Sequence, residues 1–157
     1  MAFTINPLNE NDKADWLALR IAADPWPAEN DREDILEANW DKIIDPENPL
    51  NGLALRKEHE LVGYGLYFFS PCIRTSSDEC MVRDIFIKPE YRRQGGGTLI
   101  MRTIEEKADA AKAGRIFWAT HPANETAIAF HKTLNADIEE RPEKIFIKCS
   151  KRRNLAK

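Results

Sequence analysis

The pattern of apolar and polar positions divides the chain into short strands and helices. Alternating or β-branched runs predict strands at residues 3–7, 52–56, 61–69, 82–87, 115–120, 136–139 and 144–148. Apolar residues at helical spacing predict helices at residues 12–23 and 29–44, from the glycines at 95–97 to about 114, and at 125–134. This order has no steady alternation of strand and helix, so it indicates an α+β fold around a mixed sheet.

Composition and charge are those of a soluble globular protein. The 157 residues are 43% hydrophobic and 31% charged, which predicts a single domain over residues 1–157 with a frayed basic tail at 151–157. The net charge of −3 argues against a nucleic-acid partner. The first residues are too polar for a signal peptide, and no apolar run is long enough to span a membrane.

The cysteines predict a reducing environment. Cys72, Cys80 and Cys149 are odd in number and show no C-x-x-C spacing, so they indicate reduced thiols rather than disulfides or a metal site. His59 and His121 fall on predicted turns without neighbouring ligands. We therefore expect a cytoplasmic protein without a metal.

Residues 82–104 carry the clearest chemical signal. A β-branched strand ends at Lys88-Pro89, and three glycines, residues 95–97, precede an apolar helix. The first amides of a helix lack partners and carry positive partial charge, so they attract anions. Glycines let a phosphate approach this backbone, and Arg92 and Arg93 add charge. The segment predicts a phosphate or pyrophosphate site; the alternative is a turn that only joins strand to helix.

Two common phosphate motifs do not fit this segment. A P-loop requires a lysine before Thr98, and a dinucleotide fingerprint requires glycine at the position of Ile100. The remaining pattern, Arg92-x-x-Gly95-x-Gly97 after a strand ending in Ile-x-Pro, resembles the coenzyme A-binding motif of the GNAT acetyltransferases. The order of elements is similar to that family over nearly the whole chain. The closest likeness is to the diamine (spermidine/spermine-type) acetyltransferases.

The resemblance implies a fold, a cofactor and its contacts. The implied fold is a mostly antiparallel mixed sheet of about seven strands flanked by four helices. Acetyl-CoA would place its pantetheine arm along the backbone of Ile85, Phe86 and Ile87. Its pyrophosphate would lie on the loop formed by Arg92, Arg93, Gln94, Gly95, Gly96, Gly97 and Thr98. Asn124 matches a family asparagine that contacts the cofactor.

Two residues are candidates for proton transfer. His131 stands where many family members carry a tyrosine that protonates the leaving thiolate. An imidazole with a pKa near ~6.5 could do this or take the proton of the amine; the alternative is a half-exposed helix histidine without a role. Asp84 is a candidate base, acting directly or through water, and the alternative is a structural partner for an arginine or a backbone amide.

The expected acceptor site contains charged residues of both signs, which favour different acceptors. Arg83 replaces a glutamate of the diamine enzymes, so it would repel a polyamine and attract a carboxylate or phosphate. Alternation puts Arg83 and Asp84 on opposite faces of a strand, so without a bulge only one of them faces the cleft. Trp26 either walls the acceptor pocket or caps the core. Nearby acidic residues favour a cationic acceptor, and the alternative is a solvated face or a helix N-terminus, where negative charge is favourable: Asp24, Glu29, Asp31, Glu33 and Asp34.

The resemblance implies an enzyme that moves an acetyl group from acetyl-CoA to a primary amine of a small molecule. The acceptor would be an amino acid-like amine or a polyamine, and direct attack would occur in a ternary complex. Two alternatives remain open: acetylation of a protein or peptide, and a coenzyme A-binding regulator without catalysis. Because dimers are common among similar proteins, we expect a homodimer.

Overall fold

The computed structural model describes residues 2–23, 33–134 and 137–138. The chain divides into two compact units, Met1–Ala119 and Thr120–Lys157. The first unit contains strands β1 (Phe3–Pro7), β2 (Asn51–Lys57), β3 (Glu60–Ser70), β4 (Glu79–Ile87) and β5 (Arg115–Phe117). Its helices are α1 (Lys13–Ala23), α2 (Glu33–Ile44) and α3 (Gly96–Ala110), and the second unit contains helix α4 (Glu125–Thr133).

The five strands form one mixed sheet in the order β1-β2-β3-β4-β5. The first three neighbouring pairs are antiparallel, and β4 pairs with β5 in parallel. This arrangement confirms the predicted α+β class. The strands predicted at 136–139 and 144–148 lie outside the described residues, apart from positions 137 and 138, which have no regular structure.

Helices α1 and α2 cover one face of the sheet, where a tryptophan from each helix packs with a tyrosine of β3. Trp16 on α1 and Tyr64 on β3 are almost fully buried, with ring centroids 5.9 Å apart. Trp40 on α2 lies 5.5 Å from Trp16. We call this side of the sheet the α1 face.

Helix α3 packs on the opposite face, which we call the α3 face. Ile100 and Ile104 are fully buried there. A Cβ added at Gly65 would lie 2.6 Å from Cγ2 of Ile100, so glycine lets the helix approach β3 closely. This contact positions the start of α3 beside the end of β4.

Polar side chains cap the start of the first helical segment. A short 3-10 turn, Glu10–Asp12, precedes α1, and Asn9 and Asp12 form a reciprocal capping box. Asp12 is buried and accepts a hydrogen bond from Nη2 of Arg56 at 2.5 Å. This pair connects the start of α1 to β2.

Several predicted boundaries require correction. Helix α3 ends at Ala110 rather than near Gly114, and Lys112 adopts the left-handed conformation after it, with φ of 55°. The Gly114 amide instead donates to the carbonyl of Asp78 at 2.8 Å, which aligns β5 with β4. Strand β4 begins three residues earlier than predicted because Glu79 to Met81 pair with β5, and β5 ends at Phe117 rather than Thr120.

Candidate functional site

Strand β4 has an open edge over most of its length. On one side it pairs with β3 from Glu79 to Ile87. On the other side β5 pairs only with residues 79–81, opposite Arg115 to Phe117. Within the described residues, the edge from Val82 to Ile87 therefore has no neighbouring strand, and an extended ligand could add to it by backbone hydrogen bonds.

Backbone alternation identifies the groups on this open edge. The amide of Lys88 donates to the Val62 carbonyl on β3 at 2.9 Å. Since the hydrogen-bonding direction alternates along a strand, the amides and carbonyls of Ile85 and Ile87 point toward the open edge. Nε of Arg92 donates to the Ile87 carbonyl at 2.8 Å, which agrees with this direction. Two of the three residues predicted to contact the cofactor arm thus present their backbone there.

The glycine segment forms the start of α3. A 3-10 turn, Pro89–Tyr91, follows β4, and Gly95 occupies the N-cap with φ of 89°. Its carbonyl accepts the Leu99 amide at 3.0 Å, the first bond of the helix. The amides of Gly96, Gly97 and Thr98 therefore precede that first bond and have no acceptor within the helix. These amides lie in the segment for which the sequence predicts a phosphate or pyrophosphate site, and a helix start of this kind attracts anions.

Adjacent glycines serve different physical needs. Gly95 has open space where a Cβ would lie, and its positive φ is what favours glycine. Gly96 is buried, and an added Cβ would lie 2.7 Å from Cδ2 of Leu55 and 3.3 Å from Cδ1 of Ile87. Glycine at 96 thus lets α3 begin directly against the sheet.

Side chains hold the turn between β4 and α3. The Arg92 guanidinium lies 5.5 Å from the Phe86 ring centroid, and Nε2 of Gln94 donates to the Glu90 carbonyl at 3.0 Å. Glu60 accepts hydrogen bonds from Lys88 and from Tyr91, and these bonds lower the pKa of the Glu60 carboxyl. Arg92 and Arg93 are exposed beside the first amides of α3, where an anion would meet them.

A β-bulge interrupts β4 at Arg83. Asp84 is opposite Leu66 and Val82 is opposite Tyr67, so Arg83 is an extra residue without a partner on β3. Leu66 belongs to the core cluster of the α1 face. Tyr67 lies two residues after Gly65, whose Cβ position faces Ile100 of α3, so alternation puts Tyr67 on the α3 face.

The bulge lies between two side chains on opposite faces of the sheet. Val82 shares the α3 face with Tyr67. Asp84 lies on the α1 face, since the Tyr64 hydroxyl donates to its Oδ2 at 2.6 Å. Arg83, the extra residue between them, is exposed, and the prediction that only one of Arg83 and Asp84 faces the cleft applied to a strand without a bulge and stays a prediction.

Tyr64 is the residue that sequence reasoning missed. It lies on β3, 20 residues before Asp84, and its ring is fully buried. An aromatic residue in a buried strand carries no local signal that it contacts a candidate base. Only the antiparallel register of β3 and β4 brings its hydroxyl to the carboxylate.

Two candidate residues belong to the second unit. Oδ1 of Asn124 accepts the Ala127 amide at 3.1 Å, so Asn124 is the N-cap of α4. His131 lies near the end of this helix, with its ring centroid 5.3 Å from that of Phe130. The side chain is half-buried, and burial lowers the pKa of the His131 imidazole.

The remaining acceptor candidates divide between described and undescribed parts. Trp26, Asp24, Glu29 and Asp31 lie outside the described residues. Glu33 and Asp34 are exposed in the first turn of α2, where negative charge suits the helix dipole.

Among described residues, no three acidic, cysteine or histidine side chains gather as a possible metal site. In the same part of the chain, no helix is long and apolar enough to cross a bilayer.

Comparisons with known proteins agree with this geometry. The family model described as "Acetyltransferase (GNAT) family" matches residues 12–136. Thialysine N-epsilon-acetyltransferase of Sus scrofa is 37% identical over 81 residues, 51% of this chain and 47% of that protein. The chain thus matches about half the length of this relative. Aminoglycoside N(6')-acetyltransferase type 1 of Acinetobacter baumannii is 29% identical and covers 82% of this chain and 91% of that one.

A solved structure shows the same fold. It is described as aminoglycoside N-acetyltransferase AAC(6')-Iy in complex with CoA, and it superposes with a TM-score of 0.80. The two sequences are 19% identical, and the match covers 95% of each chain. At this identity the likeness concerns the fold.

Proposed function

The chain belongs to the acetyltransferase (GNAT) family, and we propose that it transfers an acetyl group from acetyl-CoA to a primary amine of a small molecule. The observation that carries this proposal is the open edge of β4 leading into the glycine start of α3. One end offers backbone partners for an extended arm, and the other offers amides for a phosphate group.

The two ends suit the two parts of acetyl-CoA. The pantetheine arm is a linear chain with two amide groups, which can pair with the backbone of Ile85 and Ile87 as a strand would. The pyrophosphate is an anion that the amides of residues 96–98 can bind, with Arg92 and Arg93 beside them. From Ile87 to Arg83 the strand spans about 13 Å. This path leads the thioester end of the arm toward the bulge.

The proposed reaction is a direct attack in a ternary complex. The neutral amine attacks the thioester carbonyl, the C–N bond forms, and the C–S bond breaks. The amine nitrogen loses a proton, and the departing thiolate gains one. Asp84 is the proposed acceptor of the amine proton, because the Tyr64 hydroxyl donates to its Oδ2 and so fixes the position of the carboxylate. Tyr64 acts as a positioning residue.

His131 is proposed as a second proton carrier. The proposal rests on the family resemblance and on the direction of its pKa. Since burial lowers the pKa of His131, the imidazole is mainly neutral at pH 7. A neutral imidazole can take the amine proton and, as the imidazolium, return it to the departing thiolate, so His131 is the alternative to Asp84 as the base.

Release of free thiol from acetyl-CoA tests the proposal. The acceptor panel contains diamines, diamino acids, aminoglycosides and peptides, and calorimetry measures acetyl-CoA binding separately. Asp84→Asn is expected to lower kcat by about 10²–10⁴-fold, as loss of a general base does. Asp109→Asn, an exposed carboxylate on α3, is the matched control. His131→Phe is compared in the same way with His59→Phe.

The possible outcomes are distinct. Turnover of a small amine that Asp84→Asn removes and Asp109→Asn preserves would support the proposal. Turnover of peptides alone would move the acceptor to proteins. Acetyl-CoA binding without turnover of any amine would indicate a coenzyme A-binding protein without catalysis and would refute the enzyme proposal.

A further inference from the structure

We propose that Glu60 is a positioning residue for the cofactor: its carboxylate holds the turn between β4 and α3 in the conformation that binds the pyrophosphate of acetyl-CoA. This inference rests on the proposed acetyl transfer and adds a residue that sets the affinity for acetyl-CoA. Glu60 is the first residue of β3 and lies outside residues 85–98, the segment proposed to contact the cofactor.

One carboxylate joins both ends of the turn that follows β4. Because β3 and β4 are antiparallel, the chain after β4 passes the start of β3. Lys88 is the N-cap of the 3-10 turn Pro89–Tyr91, and its Nζ donates to Oε1 of Glu60 at 2.5 Å. At the other end of the turn, the Tyr91 hydroxyl donates to Oε2 of Glu60 at 2.8 Å. Arg92 follows directly, so these two bonds fix where the segment proposed to bind the pyrophosphate begins.

This segment contains a backbone conformation that needs support from its surroundings. Arg93 lies in the left-handed region, with φ of 58°. A side chain makes this conformation unfavourable, so it persists only where neighbouring contacts hold it. On one side Glu60 holds Tyr91, and on the other the Gln94 side chain donates to a backbone carbonyl at 3.0 Å. Without the contact to Glu60, we expect a larger fraction of the protein to occupy turn conformations that do not bind the cofactor.

The charges around the turn distinguish positioning from a simple electrostatic effect. Glu60 carries a negative charge near a proposed site for an anion, and it forms an ion pair with Lys88. Removing the carboxylate releases the Lys88 ammonium from this pair, which by charge alone would strengthen the binding of a pyrophosphate. Loss of positioning has the opposite effect, because the apparent affinity falls with the fraction of protein in the binding conformation. The sign of the change in affinity therefore decides between the two effects.

Calorimetric titration of the full chain with acetyl-CoA tests the inference without an acceptor. Glu60→Ala removes both hydrogen bonds, Glu60→Gln keeps an oxygen that can accept one, and Tyr91→Phe removes one. Glu58→Gln is the matched control, since Glu58 is an exposed carboxylate on the hairpin turn that precedes β3. Thiol release measures kcat and both KM values, and urea denaturation measures the free energy of unfolding.

We expect Glu60→Ala to raise the Kd of acetyl-CoA by about 3- to 10-fold, the effect of losing charged hydrogen bonds at an exposed site. Glu60→Gln and Tyr91→Phe should each weaken binding by less, and Glu58→Gln should not weaken it. The KM for acetyl-CoA should rise with the Kd, while kcat and the KM for the acceptor stay the same. Because the Glu60 side chain is 49% exposed, the free energy of unfolding should change little.

Three results would contradict the inference. Unchanged or tighter binding of acetyl-CoA by Glu60→Ala would overturn it while the acetyltransferase proposal stands. Equal weakening by Glu58→Gln would also overturn it alone, because the effect would then not depend on the contacts of Glu60. No binding of acetyl-CoA by the wild-type protein would overturn both.

Discussion

Adding one methyl group at position 96 tests how α3 is seated on the sheet. A Cβ at Gly96 would lie 2.7 Å from Cδ2 of Leu55, which is 0.7 Å short of the 3.4 Å at which ordinary contact begins. It would also lie 3.3 Å from Cδ1 of Ile87. Leu55 is fully buried, so its side chain has little room to move away.

The expected cost follows from this overlap. Forcing an extra methyl group into a packed core costs about 1–3 kcal/mol. For a chain of this length each kcal/mol lowers Tm by about 2–4 °C. Urea denaturation followed by circular dichroism would measure the free energy of unfolding of Gly96→Ala. Gly95→Ala is the matched control, because its Cβ meets nothing within 4 Å and only its positive φ is strained.

A second substitution separates steric overlap at position 96 from backbone strain at position 95. Leu55→Val removes the methyl group that a Cβ at position 96 would meet. We therefore expect Gly96→Ala and Leu55→Val to couple favourably by about 0.5–3 kcal/mol in a double-mutant cycle. Gly95→Ala and Leu55→Val should be additive within about 0.5 kcal/mol. An unchanged free energy of unfolding in Gly96→Ala, or additivity of both pairs, would refute the packing argument.

Three further predictions concern single side chains. Tyr64→Phe removes the hydrogen bond to Asp84, so kcat for acetyl transfer should fall while acetyl-CoA affinity measured by calorimetry stays the same; a changed affinity with normal kcat would contradict the positioning role. Burial lowers the pKa of His131, so below about pH 6.5 the unfolded chain binds more protons and stability falls. Wild-type Tm should therefore drop more steeply than that of His131→Asn between about pH 7 and pH 5, and parallel curves would contradict this. Burial raises the pKa of the Cys80 thiol to about 11, so iodoacetamide should label the half-buried Cys72 and leave Cys80 unlabelled until urea unfolds the chain, as peptide mass spectrometry would show.

The amino-acid sequence by itself indicated the class of fold and the glycine turn between β4 and α3. Both depend on short-range patterns: the alternation of apolar residues in β2, β3 and β4, and the glycines before α3. The matching family model over residues 12–136 agrees with the resemblance drawn from those residues. Local sequence patterns predicted the ends of helices and strands less well. Gly114 resembles a helix end in sequence, yet its amide bonds to Asp78 because strand pairing outweighs a local preference.

The tertiary structure alone decided which side chains meet on β4. A regular strand would pair Arg83 with a residue of β3, and no local pattern marks the bulge that leaves it without one. The same register brings Tyr64 to Asp84. The open edge likewise follows from where β5 ends, at Phe117. These features arise from pairing between strands distant in sequence, and such pairing leaves no periodic signal in either strand.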